Sequence, residues 1–137
     1  MVPRYRPVVD LLLENGVDAL IIDCDGNIEE LLPIWVDIGI NAIYPVEIAA
    51  NNDPIAMRKK FSNNLVIIGG IDKRELAKGK AEIDRQVDIV RELLPHSGYF
   101  PNCEHYIPLN VPYGIVKYWI NEMRKLLNDP ALRRVIP

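Results

Sequence analysis

One pattern recurs four times in this chain: an apolar strand runs into a cluster of polar groups and then into a helix. The strands read Ala19-Leu20-Ile21-Ile22, Ala42-Ile43-Tyr44, Leu65-Val66-Ile67-Ile68 and Gly98-Tyr99-Phe100. The clusters after them are Asp23-Cys24-Asp25-Gly26-Asn27, Pro45-Val46-Glu47, Gly69-Gly70-Ile71-Asp72-Lys73 and Asn102-Cys103-Glu104-His105. Strands joined by helical crossovers must run parallel, so all four clusters emerge at one C-terminal sheet edge. In folds of repeated βα units that edge is where chemistry is placed. The pattern therefore predicts an α/β fold with one face of an active site.

Length sharpens this expectation. At 137 residues the chain suits one domain with a real core. A closed (β/α)8 barrel needs roughly 250 residues, so four βα units amount to half of one. An open four-stranded sheet and a half-barrel both satisfy the length. A formal net charge of −3 gives no reason to expect nucleic acid or an anionic membrane as partner. No apolar run reaches the length of a membrane span. The start, Met1 to Pro7, has two basic residues but neither an apolar stretch nor a cleavage site, which predicts no signal peptide. Two cysteines, Cys24 and Cys103, are too few for a disulfide framework and fit a reducing cytoplasm.

Along the chain, Val8, Val9, Leu12 and Leu13 recur at helical spacing, and Asn15-Gly16 ends that helix. Asn27 is a candidate cap for a helix whose apolar face is Ile28, Leu31, Leu32, Trp35 and Ile38; Pro33 predicts a kink or a late start there. Asn52-Asp53-Pro54 is a strong helix start, with the helix ending near Phe61. After a short step from Lys73 to Lys78, a long helix turns Ile83, Val87, Val90 and Leu94 inward. The last helix carries Ile115, Trp119, Met123 and Leu126 on one side, and a basic tail follows. Nothing resembles a linker, so residues 1–137 read as one domain.

Candidate site residues follow from the shared edge. Asp23 and Asp25, two apart at a strand end, can present paired carboxylates; Asp25-Gly26-Asn27 is equally good turn chemistry. Glu47 lies at the next strand exit. Gly69-Gly70 lets backbone approach a ligand or a neighbouring strand closely, and Asp72 is either a rim acid or a helix cap. His105 is the most suggestive residue, because an imidazole beside acidic clusters can act as acid, base or metal ligand. Cys103 and His105 are spaced like metal ligands, but zinc wants three or four. His96 reads as a surface loop residue.

In series, the segments Asp-Cys-Asp-Gly-Asn (23–27), Gly-Ile-Asn-Ala-Ile-Tyr-Pro-Val-Glu (39–47), Gly-Gly-Ile-Asp-Lys (69–73) and Gly-Tyr-Phe-Pro-Asn-Cys-Glu-His-Tyr-Ile-Pro (98–108) resemble the C-terminal half of the uroporphyrinogen decarboxylase superfamily. That superfamily joins uroporphyrinogen III decarboxylase, of porphyrin biosynthesis, with methyltransferases that move methyl groups between corrinoid proteins and thiols. The resemblance implies a TIM (β/α)8 barrel, of which this chain supplies strands five to eight. Parallel topology, which brings these strand ends to one rim, predicts catalytic roles for His105, Asp23, Glu47 and Asp72, with substrate contacts from Asp25, Gly69, Gly70, Asn102 and Glu104. The decarboxylase branch has an Asn-x-Gly-His-Gly segment at its last strand. Asn102 and His105 match it, while Glu104 and Tyr106 replace the glycines that admit a bulky tetrapyrrole. His105 falls near the place of a zinc-binding cysteine in the thiol methyltransferases, with Cys103 beside it, so zinc is the implied cofactor. The family's substrate-gripping arginines belong to the other half, so the resemblance implies a missing N-terminal half or a homodimer. Three readings follow: a methyltransferase-like enzyme half (a lyase in the decarboxylase alternative), a piece of a complete barrel, or a non-catalytic module binding a small ligand at its acidic rim.

Overall fold

The structure, a computed structural model, describes residues 1–129; the basic tail with Arg133 and Arg134 lies outside the described residues. In chain order the elements are α1 (Val2–Glu14), β1 (Ile21–Asp23), α2 (Leu32–Asp37), β2 (Ala42–Val46), α3 (Pro54–Phe61), β3 (Val66–Gly70), α4 (Lys73–Leu76), α5 (Lys80–Leu93), β4 (Tyr99–Asn102) and α6 (Tyr113–Leu127). Single 3-10 turns follow β2 at Ile48–Ala50 and α3 at Ser62–Asn64. The four strands lie side by side in chain order and every pairing is parallel, as the repeated pattern predicts. Among the described residues no helix is long and apolar enough to cross a membrane.

Local chemistry explains the helix ends. Asp53 caps α3 by accepting from the backbone N–H groups of Ile55 (2.8 Å) and Ala56 (3.0 Å), with Pro54 in the first turn. Pro33 acts by delaying α2, which begins at Leu32. Asn27 consequently caps no helix; its side chain closes a turn by accepting from Glu29 N at 3.1 Å. On α5 the buried stripe is Ile83, Val87, Val90 and Leu93, and Leu94 is only half-buried.

The two faces of the sheet differ. Register places Ile22, Ile43, Ile67 and Tyr99 in one row, and of these Ile43, Ile67 and Tyr99 are buried with Leu32, Trp35, Met57, Val90 and Met123 from the helices. The opposite face carries Ile21, Tyr44, Val66, Ile68 and Phe100. There Ile21 and Phe100, on the two edge strands, are 56% and 59% exposed. Helices thus cover one face, and the other stays an open apolar surface.

Between β2 and β3 the register shifts between Ile43 and Val46, around a cis Tyr44–Pro45 peptide. Gly69 sits opposite Val46 with φ +123°, and a Cβ there would stand 2.7 Å from Val46 N. A Cβ on Gly70 would meet Pro54 Cγ at 3.1 Å. The close approach foreseen for both glycines is therefore made to neighbouring chain, Val46 for Gly69 and Pro54 for Gly70.

Candidate functional site

The C-terminal ends of the strands bring Asp25, Glu47 and His105 together. One ligand-capable atom of each lies within 4.8 Å of the others, the one such group among the described residues. His105 Nε2 is 2.7 Å from Asp25 Oδ1, and His105 Nδ1 is 3.7 Å from Glu47 Oε1. Asp25 follows β1 and His105 follows β4, the two edges of the sheet. Strand centres three spacings apart are about 14 Å distant in a flat sheet, so these loops lean across the rim to meet.

Surrounding groups fix this arrangement. Glu47 Oε2 accepts from the Gly26 backbone N–H at 2.6 Å, tying the first rim loop to the second. Asn52, buried, braces the same junction: its amide donates to the carbonyls of Gly26 (2.8 Å) and Glu47 (2.9 Å), and its Oδ1 accepts from Ile28 N (3.1 Å). The sequence marks Asn52 only as part of a helix start. The Tyr44 ring stands 6.4 Å from the imidazole, centroid to centroid.

Glu104 is the most consequential residue of the region and is completely buried. Its Oε1 accepts from Ile48 N (2.8 Å) and Ala49 N (3.4 Å), just beyond Glu47. Its Oε2 has no hydrogen bond, although the Lys73 ammonium stands 3.3 Å away. Lys73 Nζ is also 3.5 Å from His105 Nδ1 and 5.5 Å from the Tyr106 ring centre. An ammonium can only donate, so Nδ1 faces it as acceptor and the proton of a neutral imidazole sits on Nε2, toward Asp25. Lys73 closes the segment Gly69-Gly70-Ile71-Asp72-Lys73, and its position one residue past a strand-end acid is the signal for its role.

Other expected residues part from the site. Cys103 is buried in the core, and burial pushes its thiol up from the ordinary range, with the neighbouring Glu104 charge adding to the effect. In an extended strand Cys103 and His105 would share a face. Glu104 between them has φ +59°, which breaks the alternation and sends the thiol inward and the imidazole to the rim. The expected Cys103–His105 ligand pair is thus replaced by His105 with two carboxylates.

Asp72, expected at the rim, is buried and serves the fold. It accepts from the Arg74 backbone N–H at 2.9 Å as the cap of α4, and it pairs with the Arg74 guanidinium at 2.6 Å. Burial alone would raise its pKa, but the hydrogen bonds and charge of Arg74, with help from Lys78, outweigh that and hold it below the usual carboxylate value. Asp23 is exposed on the open face, outside the Asp25–Glu47–His105 group. Asn102 is half-buried; its amide lies 3.5 Å from the Glu104 carbonyl, and its own carbonyl accepts from Ile71 N.

These placements give different fates to the two thiols. Cys24 is half-buried, whereas Cys103 is enclosed and kept protonated. A thiol-reactive chromophore should titrate a single sulfhydryl, Cys24, in the native protein and both after denaturation. Rapid native labelling of Cys103 would show that the core around β4 is more open than described.

Comparison with known proteins finds no matching protein-family model, no matching curated protein and no matching solved structure.

Proposed function

We propose that this chain is the C-terminal half of a uroporphyrinogen decarboxylase-type (β/α)8 barrel, methyltransferase-like, with a divalent-cation site at its rim. The observation that carries the reading is the convergence of Asp25, Glu47 and His105 within 4.8 Å. One imidazole and two carboxylates are a sufficient and chemically suitable donor set for zinc. Zinc so held would supply Lewis acidity, favouring the ionised form of a thiol acceptor at neutral pH. The chain's own residues orient the group: Gly26 N fixes Glu47, Asn52 fixes both loops, and Glu104 anchors the turn after Glu47.

Two further observations support the barrel. Strands in simple chain order, with helices over one face only, have the architecture that continues into a closed barrel when the open face and both edges find partners. Glu104 adopts the left-handed conformation that glycine takes readily, at a place where the decarboxylase branch has glycine. Because Glu104 fills that place with a buried side chain, the methyltransferase-like reading is preferred to porphyrinogen decarboxylation. An N-terminal half or a second copy would complete the barrel and admit a corrinoid and a small thiol or related acceptor.

Equilibrium dialysis tests the cation site. Wild-type protein should retain one zinc per chain at neutral pH, and His105→Ala or Glu47→Gln should weaken retention by about 10–100-fold. Absence of retention, or equal retention by both variants, would remove the basis for the proposal. Zinc bound without consumption of methylcobalamin and thiol by the completed assembly would favour the non-catalytic ligand-binding module instead.

A further inference from the structure

The Lys73 ammonium stands between two acceptors, paired by charge with Glu104 and within reach of His105. It is 3.5 Å from His105 Nδ1 and 3.3 Å from Glu104 Oε2, a carboxylate oxygen that is fully buried and hydrogen-bonded to nothing. A buried anionic oxygen left without a hydrogen bond is costly, and native structures keep such groups for a reason. The other oxygen of the same carboxylate is fully engaged with Ile48 N and Ala49 N, so the free one is held in a fixed place.

Histidine chemistry supplies the reason. A neutral imidazole that gives one nitrogen to a cation must carry its proton on the other. If the cation takes Nε2, beside Asp25, the proton moves to Nδ1 and an ammonium can no longer face that atom. If it takes Nδ1, beside Glu47, the ammonium is displaced directly. Either way Lys73 must leave His105, and Glu104 Oε2 is the acceptor already within reach.

We infer that Lys73 is a displaceable internal counter-cation, holding the His105 imidazole beside Asp25 and Glu47 and withdrawing onto Glu104 Oε2 when a divalent cation enters. The inference rests on the cation-binding reading of the site. Glu104 is then a positioning residue, acting on His105 through Lys73, and its unbonded oxygen is the receiving end of the exchange. Lys73 sets a threshold: a cation must outcompete a tethered ammonium, which disfavours weakly held monovalent ions.

Calorimetric titration with zinc separates the alternatives. Glu104→Gln removes the charge that receives the ammonium, so Lys73 stays at His105 and zinc should bind about tenfold more weakly than to wild type. Lys73→Met combined with Glu104→Gln removes the competitor while leaving no unpaired buried charge, and should bind zinc at least as tightly as wild type. Equal affinities across all three proteins would overturn the inference while the cation site stands. A double variant weaker than Glu104→Gln alone would also overturn it, because Lys73 would then be supporting the site. No zinc binding by any of them would overturn the site and the inference together.

Discussion

Gly69→Ala is expected to cost at least about 3 kcal/mol of stability, a large fraction of the roughly 5–15 kcal/mol that holds a typical domain folded. Two effects combine. The residue has φ +123°, which L side chains rarely adopt, and its Cβ would stand 2.7 Å from the backbone nitrogen of Val46. Backbone cannot yield as a flexible side chain can, so β2 and β3 must separate where their register shifts. Gly79 offers the internal comparison, with φ +127° and nothing within 4 Å of the added Cβ. Gly79→Ala should show the conformational cost alone, about 1–3 kcal/mol. Urea unfolding of both variants measures the difference, and equal destabilisation would mean that the β2–β3 approach is looser than described.

The second large effect concerns the buried carboxylate. Lys73→Met leaves the Glu104 carboxyl fully enclosed with no cation beside it. Breaking such a pair from one side costs about 3–5 kcal/mol when both partners are buried; Lys73 is 21% exposed, which puts the expected loss near the lower end. Adding Glu104→Gln should restore at least about 1 kcal/mol, because the amide carbonyl still accepts from Ile48 N without carrying charge. A double-mutant cycle by chemical denaturation isolates this coupling. Additive losses would show that the two side chains are energetically independent despite their 3.3 Å separation.

Much of the framework is legible in the sequence because its signals are local. Asp53-Pro54 starts α3, and the apolar spacing of Ile83, Val87 and Val90 builds α5. The shared sheet edge, with Glu47 and His105 at it, follows from parallel connectivity alone. What the sequence hides depends on geometry that no local rule encodes. Cys103 and His105 look like a ligand pair until the left-handed Glu104 between them turns one inward. Asp72 reads as a rim acid, and its capture by Arg74 in the very next turn favours the helix-cap alternative. Glu104 reads as a substrate contact, and nothing in its neighbours' identities announces that it will be completely buried against Ile48, Ala49 and Lys73 instead.

Strands arranged in chain order behave like a short linear array, where each unit is stabilised chiefly by its immediate neighbours and the end units open first. The 2.7 Å contact between Asp25 and His105 changes that behaviour, because it joins the loop after the first strand to the loop after the last. It is a cross-brace spanning the whole sheet, so fraying at either end must first release it. Any ligand gripped at that brace therefore slows hydrogen exchange in β1 and β4 together, although no backbone bond joins those two strands. The rim contact thus ties the first and last of four serial units directly to each other.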